Sequence, residues 1–269
     1  MTLENKVALV TGAGRGIGKG CALEIARCGA DLVINDRPGS PDVDDTANEI
    51  RALGRDCTII EGDVFSREGC EALVSQAIAR AGRIDILVSN PAKSVRCSFL
   101  DYDPQLFEST IAGTLESGFH MSQLVARHLV ERNEGGKILF ISSVQAQMHF
   151  ADSIAYGAAK AGLNHMACTI ATELSQHRIN VNVIEPGWIN TPGEHVTFSE
   201  EVLAKEGAEL PWGRLGTPED IGRAAAFLVS GDADYITGAI LPVDGGFRFK
   251  DLRSNSLIST KSKSNGCAL

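Results

Sequence analysis

Short runs of apolar, largely β-branched residues recur along the chain: Val7 to Val10, Leu32 to Ile34, Thr58 to Ile60, Ile84 to Val88, Ile138 to Ile141 and Ile179 to Ile184. Each is bounded by polar or turn residues, and runs of this kind suit strands buried on both faces. Between them lie amphipathic stretches over 17–28, 67–81, 105–132 and 155–176. Strand and helix therefore alternate, which predicts an α/β fold: a doubly wound parallel sheet of about seven strands, with helices on both faces. No composition break or Pro/Ser-rich linker interrupts residues 1–249, so a single domain is expected there. Residues 250–269 differ. They hold Lys250, Arg253, Lys261 and Lys263 against one acid, Asp251, with five serines, and read as a polar, basic tail that does not pack.

Composition narrows the partners. With 43 % hydrophobic and 22 % charged residues over 269 positions, the chain can bury an ordinary core. A formal charge of −9 without a cluster of Lys or Arg works against nucleic acid and against anionic membrane surfaces, leaving a small molecule as the expected partner. Six histidines show no H-E-x-x-H spacing, and seven cysteines (21, 28, 57, 70, 97, 168, 267) form no C-x-x-C pair, so no metal and reduced thiols are expected. The start of the chain reads as strand rather than leader, and no apolar run approaches membrane-spanning length. A cytoplasmic location is the expectation.

Directly after the first strand comes Thr11-Gly12-Ala13-Gly14-Arg15-Gly16-Ile17-Gly18, opening into a helix. Glycines there let the backbone turn tightly and approach a pyrophosphate, whose charge rests on the free N–H groups of the helix N-terminus. The second strand ends in Asp36-Arg37. A carboxylate at that place accepts hydrogen bonds from the ribose hydroxyls of NAD and repels the 2′-phosphate of NADP, while Arg15 and Arg37 keep NADP as the alternative.

Tyr156 and Lys160 stand four residues apart within a helical segment, hence on one face. A phenol of pKa about 10 needs roughly three units, or about 4 kcal/mol, of preference for its anion to act as a base near neutrality. A neighbouring ammonium gives that kind of help. The fifth strand ends in Ser142-Ser143, thirteen residues before Tyr156, at the sheet edge where such folds bind ligands.

With these motifs together, residues 6 to about 247 resemble the short-chain dehydrogenase/reductase family, whose fold is Rossmann-type. The resemblance makes Ser143 the substrate-orienting hydroxyl, Tyr156 the acid/base and Lys160 the ribose-binding partner that lowers its pKa. It makes Gly12, Arg15, Gly16, Ile17, Gly18, Asp36, Arg37, Asp63, Val64, Asn90, Tyr156, Lys160, Pro186, Gly187, Ile189 and Thr191 cofactor contacts, with Asp63 at the adenine, the Ile189 backbone at the carboxamide and Thr191 at a phosphate. Thr114 aligns with the helix asparagine that holds a water in the family's proton relay. Two departures stand out: Pro91 in Ser89-Asn90-Pro91-Ala92, where the family reads Asn-Asn-Ala-Gly, and threonine rather than asparagine at 114.

The implied activity is an NAD(P)-dependent oxidoreductase that moves a hydride between nicotinamide and a small alcohol or carbonyl compound. Gln145, His149 and Trp188 are the expected substrate residues beside Ser143, with a lid over 190–213, and this mixed lining suits a sugar or polyol. The segments Asn190-Thr191-Pro192 and Leu215-Gly216-Thr217-Pro218 resemble glucose and polyol dehydrogenases. A 3-oxoacyl carrier protein reductase using NADPH is the second reading, and a weakly active NAD(H)-binding sensor or scaffold the third. Apolar faces of 105–132 and 155–176 suggest pairing into a homotetramer or homodimer.

Overall fold

The computed structural model describes residues 1–252. Seven parallel strands form one sheet: β1 (Val7–Thr11), β2 (Asp31–Asp36), β3 (Cys57–Glu61), β4 (Ile86–Ser89), β5 (Gly136–Ile141), β6 (Ile179–Pro186) and β7 (Ile240–Val243). Their order is β3-β2-β1-β4-β5-β6-β7. The order reverses between β1 and β4, and a sheet of this kind opens a crevice at the carboxyl ends of those two strands. Every residue of β1, β4 and β6 is buried, including the polar Asn180, Asn182 and Glu185 of β6. β7 is the edge strand, half-buried throughout, and tolerates Pro242 for that reason. It is short and interrupted by Pro242, and none of the six runs read as strands in the sequence covers it.

Helices cover both faces. On one, α1 (Gly16–Arg27), α2 (Val43–Ala52) and α9 (Pro218–Leu228) close a core that includes Cys21, Ile25, Ala47, Ile50, Ile221 and Ala225. α1 and α9 cross closely because Gly20 and Gly222 leave no side chain between them; a Cβ on Gly20 would lie 2.3 Å from the Pro218 carbonyl oxygen. On the other face, α3 (Arg67–Ala81), α5 (Ser117–Arg132) and α6 (Ile154–Leu174) bury Cys70, Leu73, Met121, Val125, Leu163 and Ala167.

The stretch expected as one helix over 105–132 is instead α4 (Pro104–Ile111), a π-helical turn over Ala112–Glu116, and α5. Thr114 lies in the widened turn and bonds to the loop beyond β4, an attachment that a regular helix would not place there. The segment 190–213 carries two short helices, α7 (Pro192–Thr197) and α8 (Glu200–Glu209). Beneath them Val144, Leu203, Leu210, Leu215 and Phe247 form a small separate core. The described chain ends in a 3-10 turn, Phe247–Leu252, and the rest of the expected tail, 253–269, lies outside the described residues. Among the described residues no helix is long and apolar enough to cross a membrane.

Candidate active site

The crevice beside β1 is made of backbone. After Thr11 the chain turns through Gly12 and Gly16, both at positive φ (62° and 57°), a conformation that side chains disfavour. A Cβ on Gly18 would lie 2.0 Å from the Gly12 carbonyl oxygen, and one on Gly14 would lie 2.2 Å from Asp36 Oδ2. α1 then begins at Gly16 after an N-cap, Arg15, that makes no side-chain cap, and with no acid in its first turn, so the leading N–H groups toward Ile17 and Gly18 are left for an anion. Asn90 pins this loop to β4: its N–H donates to Thr11 Oγ1 at 3.1 Å, and its Nδ2 to the carbonyls of Thr11 and Gly12, both at 3.3 Å. The loop's hold on β4 therefore uses Asn90 and asks nothing of an N–H at position 91, which is why Pro91 fits.

Other expected cofactor residues stand at or just beyond the carboxyl ends of β2, β3 and β6. Asp36 accepts from the N–H of Gly14 at 2.8 Å and of Arg37 at 2.7 Å, which points its carboxylate at the glycine loop. Arg15 stands 3.9 Å from Asp42, and Arg37 is exposed. Asp63 accepts from Phe65 N–H at 2.9 Å beside buried Val64. Thr191 overhangs the loop, its Cβ 3.5 Å from where a Cβ of Gly16 would stand. Pro186 and Gly187 end β6, and bonds from Asn190 N to Gly216 O and from Gly216 N to Trp188 O hold Ile189 between them. A crevice too tight for any side chain, an uncapped helix start and a carboxylate at the end of β2 fit a dinucleotide's pyrophosphate and adenosine ribose.

The catalytic candidates meet at the carboxyl edge of β5. Ser143 is buried and caps the short turn Val144–Ala146, its Oγ accepting from Gln145 N–H at 3.1 Å. Ser142 turns away, toward the Lys160 carbonyl at 3.4 Å. Lys160 is only 1 % exposed; its Nζ donates to the Ile141 carbonyl at 2.6 Å and stands 5.6 Å from the centre of the Tyr156 ring. Burial governs both groups. It pushes the Tyr156 phenol up to about 12, with Ser143 pulling the other way and the Glu194 carboxylate adding to the rise. It pulls the Lys160 ammonium down to about 7. The phenol therefore rests protonated, with desolvation the largest influence on it.

Thr114 lies in the π-helical turn Ala112–Glu116. Its hydroxyl accepts from Lys93 N–H at 3.0 Å and donates to Lys93 O at 3.1 Å, so its one hydrogen is spent holding the loop after β4. Thr114 thus anchors the loop after β4 from the widened turn. Of the expected substrate residues, Gln145 has its carbonyl taken by Ser153 Oγ at 2.6 Å, His149 is exposed, and Trp188 donates to Glu194 at 2.8 Å while packing edge-on against Phe198. Sequence reasoning missed Glu194 and the buried Glu185; the latter had a signal, an acid directly after the apolar run ending at Ile184. Among the described residues no group of three His, Cys, Asp or Glu is placed to hold a metal ion.

Comparison with known proteins agrees with this geometry. The family described as enoyl-(acyl carrier protein) reductase matches residues 12–248. The chain is 35 % identical over 247 residues to a 2-dehydro-3-deoxy-D-gluconate 5-dehydrogenase of Pseudoalteromonas atlantica, covering 91 % of this chain and 97 % of that protein. It is 35 % identical over 245 residues to an L-rhamnose 1-dehydrogenase (NAD(P)(+)) of a Sphingomonas species, covering 91 % and 96 %. The crystal structure of acetoin dehydrogenase from Enterobacter cloacae superposes with a TM-score of 0.86 at 34 % identity, covering 94 % of this chain and all of that one. With a doubly wound sheet, a glycine crevice at its switch point and relatives aligned over nearly their whole length, the chain belongs to the short-chain dehydrogenase/reductase family, oxidoreductases that act on CH–OH groups and bind NAD(H) or NADP(H).

Proposed function

We propose that this protein interconverts a secondary alcohol and a ketone on a small hydroxylated compound of the sugar or polyol kind, with NAD(H) as cofactor. The observation that carries the reading is the packing of a fully buried lysine ammonium 5.6 Å from the Tyr156 ring, next to Ser143 and at the edge of the glycine crevice. The dinucleotide, when bound, supplies the hydride acceptor or donor and a positive ring in the oxidised state. Ser143 holds the substrate oxygen. Tyr156 gives its proton to the carbonyl oxygen during reduction, for which a protonated phenol is the right resting form, and takes it back during oxidation. Lys160, with its ammonium 5.6 Å from the ring, favours the phenolate that forms when the proton leaves and is placed to hold the cofactor's ribose. Asp36 supports NAD over NADP, since a 2′-phosphate would meet its carboxylate.

The test is a spectrophotometric screen of NADH and NADPH oxidation across hydroxyketones, sugars and sugar acids. Turnover with NADH at least ~10-fold above NADPH supports the reading, given the charge at Asp36. Absence of turnover with either cofactor contradicts it. The same reading extends to assembly: an open groove of about 400 Å³ lined by Phe119, Ala126, Val130, Ile170 and Leu174 lies between α5 and α6 and suits a second copy of the chain, giving a dimer or tetramer. Light scattering on the purified protein tests it, and a monomer contradicts it.

A further inference from the structure

Close to the Ser143 turn lies a polar cluster that hydride transfer does not use. Its centre is Glu185, the residue before Pro186 in β6, with no solvent exposure at all. A carboxylate at that depth has to find partners in the protein. Asn164 donates to its Oε1 at 2.7 Å, Gln147 donates through Nε2 to both oxygens at 3.0 Å, and Arg248 Nη2 stands 3.5 Å from Oε2. Arg248 is held in turn by Asp244, Nε to Oδ2 at 3.0 Å, and Asp244 packs so closely on Gly187 that a Cβ there would lie 2.8 Å from its Cα. Three elements are thus tied to the end of β6: the turn after Ser143, α6 one turn beyond Lys160, and the C-terminal turn.

The carboxylate dictates how Gln147 stands. It offers acceptors only, so the amide nitrogen must face it and the amide oxygen must face away. Gln147 is exposed, four residues past Ser143 and directly before Met148, which packs on the small core under the 190–213 segment. Its Oε1 has no hydrogen-bond partner among the described residues, whereas the carbonyl of Gln145 is already occupied by Ser153. We infer that Glu185 is a positioning residue that locks Gln147 with its carbonyl toward the substrate, so that the pocket reads a second hydroxyl close to the reacting carbon. The substrate class is then α-hydroxy ketones and the vicinal diols they become. This rests on the hydride-transfer reading and sharpens it.

The experiment uses matched ketones that differ by that one hydroxyl: acetoin against 2-butanone, and 2-hydroxycyclohexanone against cyclohexanone, each with NADH and NADPH. The wild-type protein prefers the hydroxylated member at least ~10-fold in kcat/KM, mostly through KM, because a site that accepts from a hydroxyl rejects the analogue lacking it. Glu185→Gln keeps the shape but lets Gln147 turn either way. It lowers the preference about fivefold, through the KM of the hydroxylated ketone, with melting temperature and NADH binding as checks on folding. Gln147→Leu, an exposed position that carries the test should Glu185→Gln fail to fold, lowers the preference similarly, and the double variant adds nothing further. A wild-type protein that shows no preference, or variants that leave it unchanged, overturns the inference while leaving the hydride-transfer reading in place. Failure of the wild-type protein to reduce any carbonyl overturns both.

Discussion

At the carboxyl edge of β1 the crevice is bounded by main chain: two glycines at positive φ, two more with no room for a Cβ, and a helix start that no side chain caps. Further along the same edge, at β5 and β6, the candidate site is built instead of side chains: Ser143, Tyr156 and Lys160, Gln147 on Glu185, and Trp188 on Glu194. The first region binds through groups that every residue owns, so its demand on the sequence is negative: nothing larger than glycine fits. The second binds through particular groups whose protonation and orientation are set by burial and by distant neighbours. Damage to the first region is therefore expected to be steep and insensitive to pH, and damage to the second graded and dependent on it.

The largest effect is expected at Gly18. Replacing it by valine forces a side chain onto the Gly12 carbonyl, so NADH binding followed by fluorescence is lost by more than ~100-fold and the melting temperature falls, at every pH examined. A variant that still binds NADH normally would mean that the loop yields.

Lys160→Met comes next, with effects of opposite sign on activity and stability. Turnover falls ~100-fold or more. Stability rises, because a lysine held near 7 when folded and at its ordinary 10.5 when unfolded binds fewer protons in the native state. That penalty is complete below about pH 7 and fades as the pH climbs toward 10.5. The variant is thus more stable near neutrality by up to ~4 kcal/mol, less about 1 kcal/mol for the lost bond to Ile141, and the gap closes as the solution becomes alkaline. Denaturant unfolding across that range checks both sign and slope; a variant less stable at all pH values would contradict the burial argument.

Asp36→Ala is expected to raise NADPH use relative to NADH by ~10-fold, since it removes one charge facing the 2′ position and leaves Arg15 and Arg37 nearby. The smallest effect belongs to Glu194→Gln. Its carboxylate raises the Tyr156 phenol, so neutralising it lowers that pKa, and the alkaline limb on which reduction fails moves to lower pH by a few tenths of a unit. A limb that moves upward would reverse the assigned sign.

The difference between the two regions also explains what could be read from the sequence. Gly12 to Gly18 after a β-branched run, and Tyr156 with Lys160 on one helix face, are local patterns with few alternatives, and six of the seven strands followed from continuous apolar runs. β7 was silent because it is only four residues long and holds Pro242, which argues against a strand in a sequence pattern but is tolerated at a sheet edge. The break in the helix at Ala112–Glu116 was silent because its cause, the clamp of Thr114 on Lys93, joins residues 21 apart. Glu185 and Arg248 lie 63 positions from one another, and their meeting depends on the β6–β7 pairing that no local pattern reports. The raised phenol and lowered ammonium were likewise illegible, because each depends on how much surrounding chain excludes water.

Proton transfer at the Tyr156 phenol is the step on which the proposed chemistry depends. In Tyr156→Phe, which removes only the hydroxyl, the rate of carbonyl reduction is predicted to fall by ~1,000-fold while the dissociation constant for NADH, measured by fluorescence on the same protein, stays within about twofold of wild type. Turnover that survives the substitution with NADH binding intact would contradict it.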